Sequence, residues 1–106
     1  MNAHITLRYE EHLPMPLIYL ASADDLAQWY ISQLEWAVDQ GHRELTISCF
    51  DTAPMGYDVN GAAHAVWQAV VDFLSVREDV TRLTILCGDE TALRAYGQLL
   101  QENSDF

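Results

Sequence analysis

The sequence contains no lysine, and arginine supplies all five of its basic residues against sixteen acidic ones. The formal net charge is therefore −11. Proteins bind nucleic acids largely through lysine and arginine contacts to phosphate, and anionic membranes attract the same side chains. We expect the chain to bind neither nucleic acid nor a membrane. Its charge suits a basic protein partner, although an acidic surface also serves solubility alone.

Cysteines and long apolar runs are also scarce. The only cysteines, Cys49 and Cys87, form no C-x-x-C pair and no zinc-type spacing. Each stands near the end of a short apolar run, which predicts buried, reduced thiols. No apolar run is long enough to span a bilayer, and the opening residues, MNAHITLRYEEHLPMP, lack the regions of a signal peptide. These absences predict a cytoplasmic protein.

Motifs that carry catalysis are missing as well. The sequence has no G-x-S-x-G motif and no P-loop signature. Its four histidines, His4, His12, His42 and His64, provide no helical i, i+4 pair for a metal. A cysteine nucleophile would need an exposed thiol beside a histidine, whereas both cysteines lie in or beside apolar strands. We expect no enzymatic activity, no catalytic residue, no metal site and no cofactor.

The apolar content is sufficient for one folded domain spanning residues 1–106. Half of the residues are apolar and 10% are aromatic. A chain of this length can bury roughly 60–70% of the surface that its unfolded form exposes. The three tryptophans, Trp29, Trp36 and Trp67, fall in segments with helical spacing, where we expect them to pack in the core.

The periodicity of apolar residues predicts strands and helices in alternation, beginning with two strands. The expected strands are 4–9, 17–21, 44–50 and 82–87. The expected helices are 22–38, 62–74 and 89–100. The predicted fold class is therefore α/β, with a small, mostly parallel sheet flanked by helices in the order β-β-α-β-α-β-α.

Several residues mark where these elements begin and end. Ser22 is a suitable N-cap for the first helix, and Gly41 is the C′ residue expected to end it. Asp58 and Asn60 are candidate caps of the second helix. The first strand is expected at the edge of the sheet, while the strands at 44–50 and 82–87 are expected to be buried on both faces.

Two segments of the chain resemble each other, LTISCFDT at 45–52 and LTILCGDET at 83–91. Each combines a strand, a cysteine and an aspartate two residues later. Open α/β folds bind ligands at the carboxyl edge of the sheet, where Asp51 and Asp89 would then meet. Aspartates at strand ends are more often turn formers and helix caps, and we favour that interpretation.

Three longer segments resemble the C-terminal half of the macro domain, an α/β module that binds ADP-ribose. QWYISQLEWAVDQGHRELTISCF is similar to its helix, glycine turn and buried strand. DTAPMGYDVNGAAHAVWQAVVDFL is similar to its phosphate loop and the following helix, and LTILCGDETALRAYGQLL to its last strand, acidic turn and final helix. The resemblance covers about residues 24–101 and implies a macro-domain-like fold. The ligand-binding residues that it implies are Thr52, Ala53, Met55, Gly56 and Tyr57.

The chain also departs from the family pattern. The Asn-rich strand end and glycine-rich loop of the family's N-terminal half have no counterpart, and residues 1–21 are too few to replace that half. Ala53 stands at a usual glycine, Pro54 has no N–H to donate, and Asp51 adds negative charge beside the expected phosphate. Losing one charge-assisted donor costs about 1.5–3 kcal/mol. Only Gly56 and Tyr57 match, which implies a shortened relative with a weakened phosphate site.

Two functions follow from these observations. In the first, the protein is a non-catalytic interaction protein on a shortened macro-like scaffold, and its partner is a basic protein such as an enzyme that it restrains. In the second, residues 52–57 bind ADP-ribose or a related nucleotide weakly. The loop chemistry and the net charge both oppose an anionic ligand and favour the first. A shortened sheet with an uncovered edge also predicts a two-fold homodimer, unless the strands expected at 4–9 and 17–21 cover that edge themselves.

Overall fold

The structure is a computed structural model that describes residues 3–11, 13, 22–49 and 59–102. Its strands are β1 (His4–Tyr9), β2 (Glu44–Ser48) and β3 (Arg82–Cys87). Its helices are α1 (Ala23–Asp39), α2 (Val59–Val76) and α3 (Glu90–Glu102). The described elements alternate as β-α-β-α-β-α, which confirms the predicted α/β class. The strand expected at 17–21 lies outside the described residues.

The three described strands are parallel, and the last of them in the sequence lies in the middle of the sheet. The order is β1-β3-β2. His4 and Glu44, which begin the two outer strands, both lie opposite Arg82. Tyr9, at the end of β1, lies opposite Cys87. All three strands therefore end at the same edge of the sheet.

Side chains along each strand alternate between a buried face and a face open to solvent. The buried face carries Ile5, Leu45, Ile47, Leu83, Ile85 and Cys87. On the other face, Thr6, Thr46 and Arg82 are exposed, and Leu86 is half-buried. The expectation that β2 and β3 are buried on both faces was wrong. The polar residues of ELTIS alternate with apolar ones, as they do in a strand covered on one side.

The three described helices form a layer over the buried face of the sheet. Helix α1 contacts β2 and α2, and α3 contacts β1, β3 and α2, so that α2 lies in the middle of the layer. The helices contribute Leu26, Tyr30, Leu34, Val66, Trp67, Val70, Phe73, Leu74, Ala95 and Tyr96, among others, to one hydrophobic core. Burial of apolar surface contributes about 25 cal/mol per Å², which makes this core the main stabilising element.

The ends of α1 agree with the residues that the sequence marks. The Ser22 hydroxyl accepts a hydrogen bond from the backbone N–H of Asp25 at 3.1 Å, which is an N-cap. Gly41 follows the helix with a φ of 93°. Beyond it, the N–H of His42 donates to the carbonyl of Ala37 at 3.1 Å. This pattern is a Schellman motif, and both predicted boundaries of α1 are confirmed.

Helix α2 is longer than its apolar periodicity indicates. It comprises Val59–Val76, so that Asn60, a predicted cap, lies inside the helix and not before it. Asp58, the other candidate cap, lies outside the described residues. No helix in the described part of the chain is both long enough and apolar enough to cross a membrane.

Candidate functional site

The loop that the sequence predicts as a ligand site connects the carboxyl end of β2 to the beginning of α2. Its residues Thr52, Ala53, Met55, Gly56 and Tyr57 lie outside the described residues. Asp51 lies outside them as well. The described chain reaches Cys49 after β2 and resumes at Val59. The proposed phosphate contacts of this loop therefore stay a prediction.

Asp89 lies at the same edge of the sheet, after β3. Its carboxylate accepts a hydrogen bond from the backbone N–H of Ala92 at 2.7 Å. Its carbonyl accepts a second hydrogen bond, from the N–H of Leu93, at 3.2 Å. Asp89 is thus the N-cap of α3, which confirms the helix-cap interpretation for this aspartate.

A pair of thiols lies just inside that edge. The Sγ atoms of Cys49 and Cys87 are 4.0 Å apart, and both cysteines are buried and reduced, as predicted. The thiol of Cys49 donates its hydrogen towards the sulfur of Cys87. This hydrogen bond and burial raise the pKa of Cys49. The same hydrogen bond lowers the pKa of Cys87.

Two tyrosines surround the thiols from the helix layer. The hydroxyl of Tyr30, on α1, donates to the carbonyl of Ser48 at 2.6 Å and so joins the helix to the end of β2. Burial raises the pKa of Tyr96 well above its usual value, and the neighbouring Cys49 and Tyr30 act in the same direction. Tyr96 therefore stays protonated at neutral pH. Within the described residues, no three metal-ligating side chains come together here.

A second region of interest is the outer surface of α1. Trp29 is 38% exposed and Trp36 is 63% exposed, whereas Trp67 of α2 is only 3% exposed. The prediction that all three tryptophans pack in the core is confirmed for Trp67. It was wrong for Trp36 and partly wrong for Trp29. The side of α1 that faces the core carries Leu26, Tyr30, Leu34 and Val38.

The two tryptophans belong to a continuous stripe of exposed residues. This α1 stripe consists of Asp25, Trp29, Ser32, Trp36 and Asp39, all of them exposed. Alternate steps of four and three residues keep these side chains on one side of a helix. The whole of α1 carries four acidic residues and no lysine or arginine. The stripe is therefore aromatic in its middle and acidic at both ends.

Packing and an ion pair hold parts of the stripe in place. The rings of Trp29 and Tyr30 meet edge to face, with centroids 5.3 Å apart and planes at 81°. At the other end, a carboxylate oxygen of Asp39 lies 3.7 Å from a guanidinium nitrogen of Arg77 on α2. The hydrogen bond of the Tyr30 hydroxyl fixes the position of the tyrosine ring, so Trp29 packs against a ring that is already held in place.

The sequence contains signals for both regions. Leu26, Tyr30 and Leu34 differ by four residues each, while Trp36 lies about 120° around the helix from their mean direction at 3.6 residues per turn. That angle indicates a surface position. For the thiols, the repeated strand sequences place Cys49 and Cys87 at equivalent positions of neighbouring strands.

No protein-family model and no curated protein matches the chain, so the macro-domain resemblance of residues 24–101 stays a prediction.

Proposed function

We propose that the protein is a non-catalytic interaction protein, on a shortened macro-like α/β scaffold, that binds a basic protein through the α1 stripe. The observation that supports this proposal is the exposure of Trp29 and Trp36 on an acidic helix. Tryptophan is enriched among the residues that dominate binding energies at protein interfaces. Arginine is attracted both to an indole face and to a carboxylate, so one basic partner satisfies both parts of the stripe.

The spacing of the stripe suits a helix or an extended segment laid along α1. Trp29 and Trp36 are seven residues apart, which corresponds to about 10.5 Å along the helix axis. Ser32 between them is small, and its hydroxyl donates to the carbonyl of Gln28 at 3.0 Å. The space between the two indoles therefore suits an apolar side chain of the partner, flanked by basic residues that meet Asp25 and Asp39.

Charge favours a different protein over a second copy of this one at the α1 stripe. A net charge of −11 attracts cationic proteins at long range and accelerates their association. Two acidic stripes placed against each other would repel. The homodimer expected from the sequence would therefore use the outer edges of β1 or β2. Light scattering at micromolar concentration tests for it, and a 12.0 kDa species alone would contradict it.

The interaction is tested by pull-down with matched baits. Wild-type protein is compared with a Trp29→Ala/Trp36→Ala double variant and with Val76→Ala, which alters a large exposed apolar residue at the end of α2. We expect basic proteins on the wild-type and Val76→Ala baits, fewer of them at high salt, and at least about a tenfold loss on the double variant. Equal capture by the wild-type and double-variant baits would refute the proposal.

Weak binding of ADP-ribose is the second candidate function, and NMR distinguishes it from the first. Titration with ADP-ribose that shifts the signals of Thr52, Gly56 and Tyr57, with saturation below millimolar ligand, would favour the nucleotide site. Because Pro54 offers no N–H and Asp51 adds negative charge, we expect no saturating shift. The signals of Trp29 and Trp36 serve as the internal control.

A further inference from the structure

The two cysteines occupy matching positions on neighbouring strands. The register places Leu45 opposite Leu83 and Ile47 opposite Ile85, so the next pair on the buried face is Cys49 and Cys87. Neighbouring strands lie about 4.8 Å apart, which falls within the range of Cα separations that a disulfide spans. The two sulfur atoms, 4.0 Å apart, need to approach by about 2 Å to reach bonding distance.

The position of the pair at the ends of the strands allows this approach. Cys49 follows Ser48, the last residue of β2, and its N–H still donates to the carbonyl of Leu86 at 3.1 Å. Cys87 ends β3, and its carbonyl accepts from the N–H of Glu10 at 3.0 Å. Both cysteines thus still form a backbone hydrogen bond to a neighbouring strand, but the chain leaves the sheet directly after each of them. A small rotation of either side chain is less restricted there than in the middle of a sheet.

We infer that Cys49 and Cys87 are a modification site, a dithiol that small oxidants convert reversibly to an intramolecular disulfide joining β2 to β3. The hydrogen bond from Cys49 makes Cys87 the attacking sulfur. With a low-molecular-weight disulfide as oxidant, Cys87 loses its proton, bonds to one oxidant sulfur and releases the other as a thiol. Cys49 then loses its proton and attacks Cys87, which expels the second oxidant sulfur as a thiol. Two protons and two electrons leave the protein, and one oxidant disulfide becomes two thiols.

Burial determines which oxidants are effective. Both cysteines are shielded from solvent, so an oxidant reaches them only when the ends of β2 and β3 open locally. A small reagent such as diamide therefore reacts faster than a bulky aromatic disulfide. The site is independent of the α1 stripe, because it lies on the buried face of the sheet.

Oxidation of the purified protein followed by mass spectrometry tests the inference. The protein is treated with diamide or oxidised glutathione, denatured, alkylated and weighed. We expect a monomer that has lost two hydrogen atoms, resists alkylation and regains both thiols with dithiothreitol. Cys49→Ser and Cys87→Ser should each keep one thiol that is alkylated or joined to glutathione. An oxidised wild-type protein that still alkylates twice, or that forms only disulfide-linked dimers, would overturn the inference.

A second measurement needs no variant and so does not depend on how the serine variants fold. The fraction of internal disulfide is measured at fixed ratios of oxidised to reduced glutathione, in native buffer and in concentrated urea. Because the native fold holds the sulfurs 4.0 Å apart, whereas the unfolded chain separates them by 38 residues, we expect at least a tenfold larger equilibrium constant in native buffer. An equal or smaller constant in native buffer would overturn the inference.

Discussion

Trp36 and Trp67 are the same residue type in two neighbouring helices of nearly equal length, 17 and 18 residues. Their surroundings differ: Trp36 is 63% exposed and Trp67 is 3% exposed. Helix α2 lies between α1 and α3, so it is covered on both sides. Its Val66, Val70 and Leu74 belong to the same core cluster as the buried residues of the sheet. Helix α1 lies at the side of the layer, so only its core-facing side is covered and the α1 stripe is exposed. The place of a helix in the layer thus determines whether its tryptophan stabilises the fold or remains accessible to a partner.

Alanine substitution of each tryptophan tests this contrast most strongly. Trp67→Ala should lower the free energy of unfolding by about 3–5 kcal/mol, because it leaves a cavity in the core. Trp36→Ala should change it by about 0.5 kcal/mol or less, as expected for a surface position. Urea unfolding followed by circular dichroism measures both values. Comparable losses for the two variants would mean that Trp36 is part of the core.

The same contrast applies to tyrosines when the pH is raised. Burial raises the pKa of Tyr96, so above about pH 10 the unfolded chain loses this proton while the folded protein keeps it. The native state then binds more protons, and stability falls by up to about 1.4 kcal/mol per pH unit. Tyr96→Phe should remove this part of the pH dependence in urea titrations between about pH 8 and about pH 11. Tyr9→Phe, at a position 46% exposed, should retain it.

Alanine substitutions at Gly41 and Gly97 separate the effect of backbone conformation on stability from the effect of side-chain packing. At Gly41, with a φ of 93°, an added Cβ meets no atom within 4 Å, so Gly41→Ala changes only the backbone preference. It should destabilise by about 1 kcal/mol. At Gly97 in α3, an added Cβ lies 3.8 Å from Cδ1 of Leu7, an ordinary contact. Gly97→Ala should therefore stabilise by about 0.5–1 kcal/mol, and thermal unfolding of the two variants should shift in opposite directions.

The smallest effect is expected where the ends of α1 and α2 meet at the surface. Asp39 is exposed and its partner Arg77 is half-buried, so Asp39→Asn should cost about 0.5 kcal/mol or less, and high salt should remove the difference. Arg77→Ala should cost somewhat more, because the guanidinium also lies 5.9 Å from the ring centroid of Phe73. A loss in Asp39→Asn as large as that in Gly41→Ala would contradict the ranking.

Elements governed by neighbouring residues were predictable from the sequence. Ser22 and Gly41 marked both ends of α1, and the bounds of β1 were predicted as the structure has them. These features depend on hydrogen bonds and backbone angles within a few residues. The order of the strands and the open face of β2 depend on contacts between residues far apart in the chain. A single sequence does not encode such pairings in any local pattern.

The candidate sites show the same division. The cap formed by Asp89 follows from its position before a helix and was expected. The exposure of Trp36 and the pairing of Cys49 with Cys87 were missed, although a helical projection and the repeated strand sequences indicate them. In both cases the chemistry of a residue depends on which other element covers it, and that is decided by the assembly of the whole layer.

The central place of β3 has a consequence for how the chain acquires its structure as the ribosome produces it. In the described sheet the two outer strands do not pair with each other, and each pairs with β3. The sheet therefore cannot form while those residues are still inside the exit tunnel, and most of the nascent chain emerges with exposed strand edges. Formation of the sheet should therefore wait until β3 has emerged, and it should be sensitive to any chaperone that occupies those edges before β3 arrives.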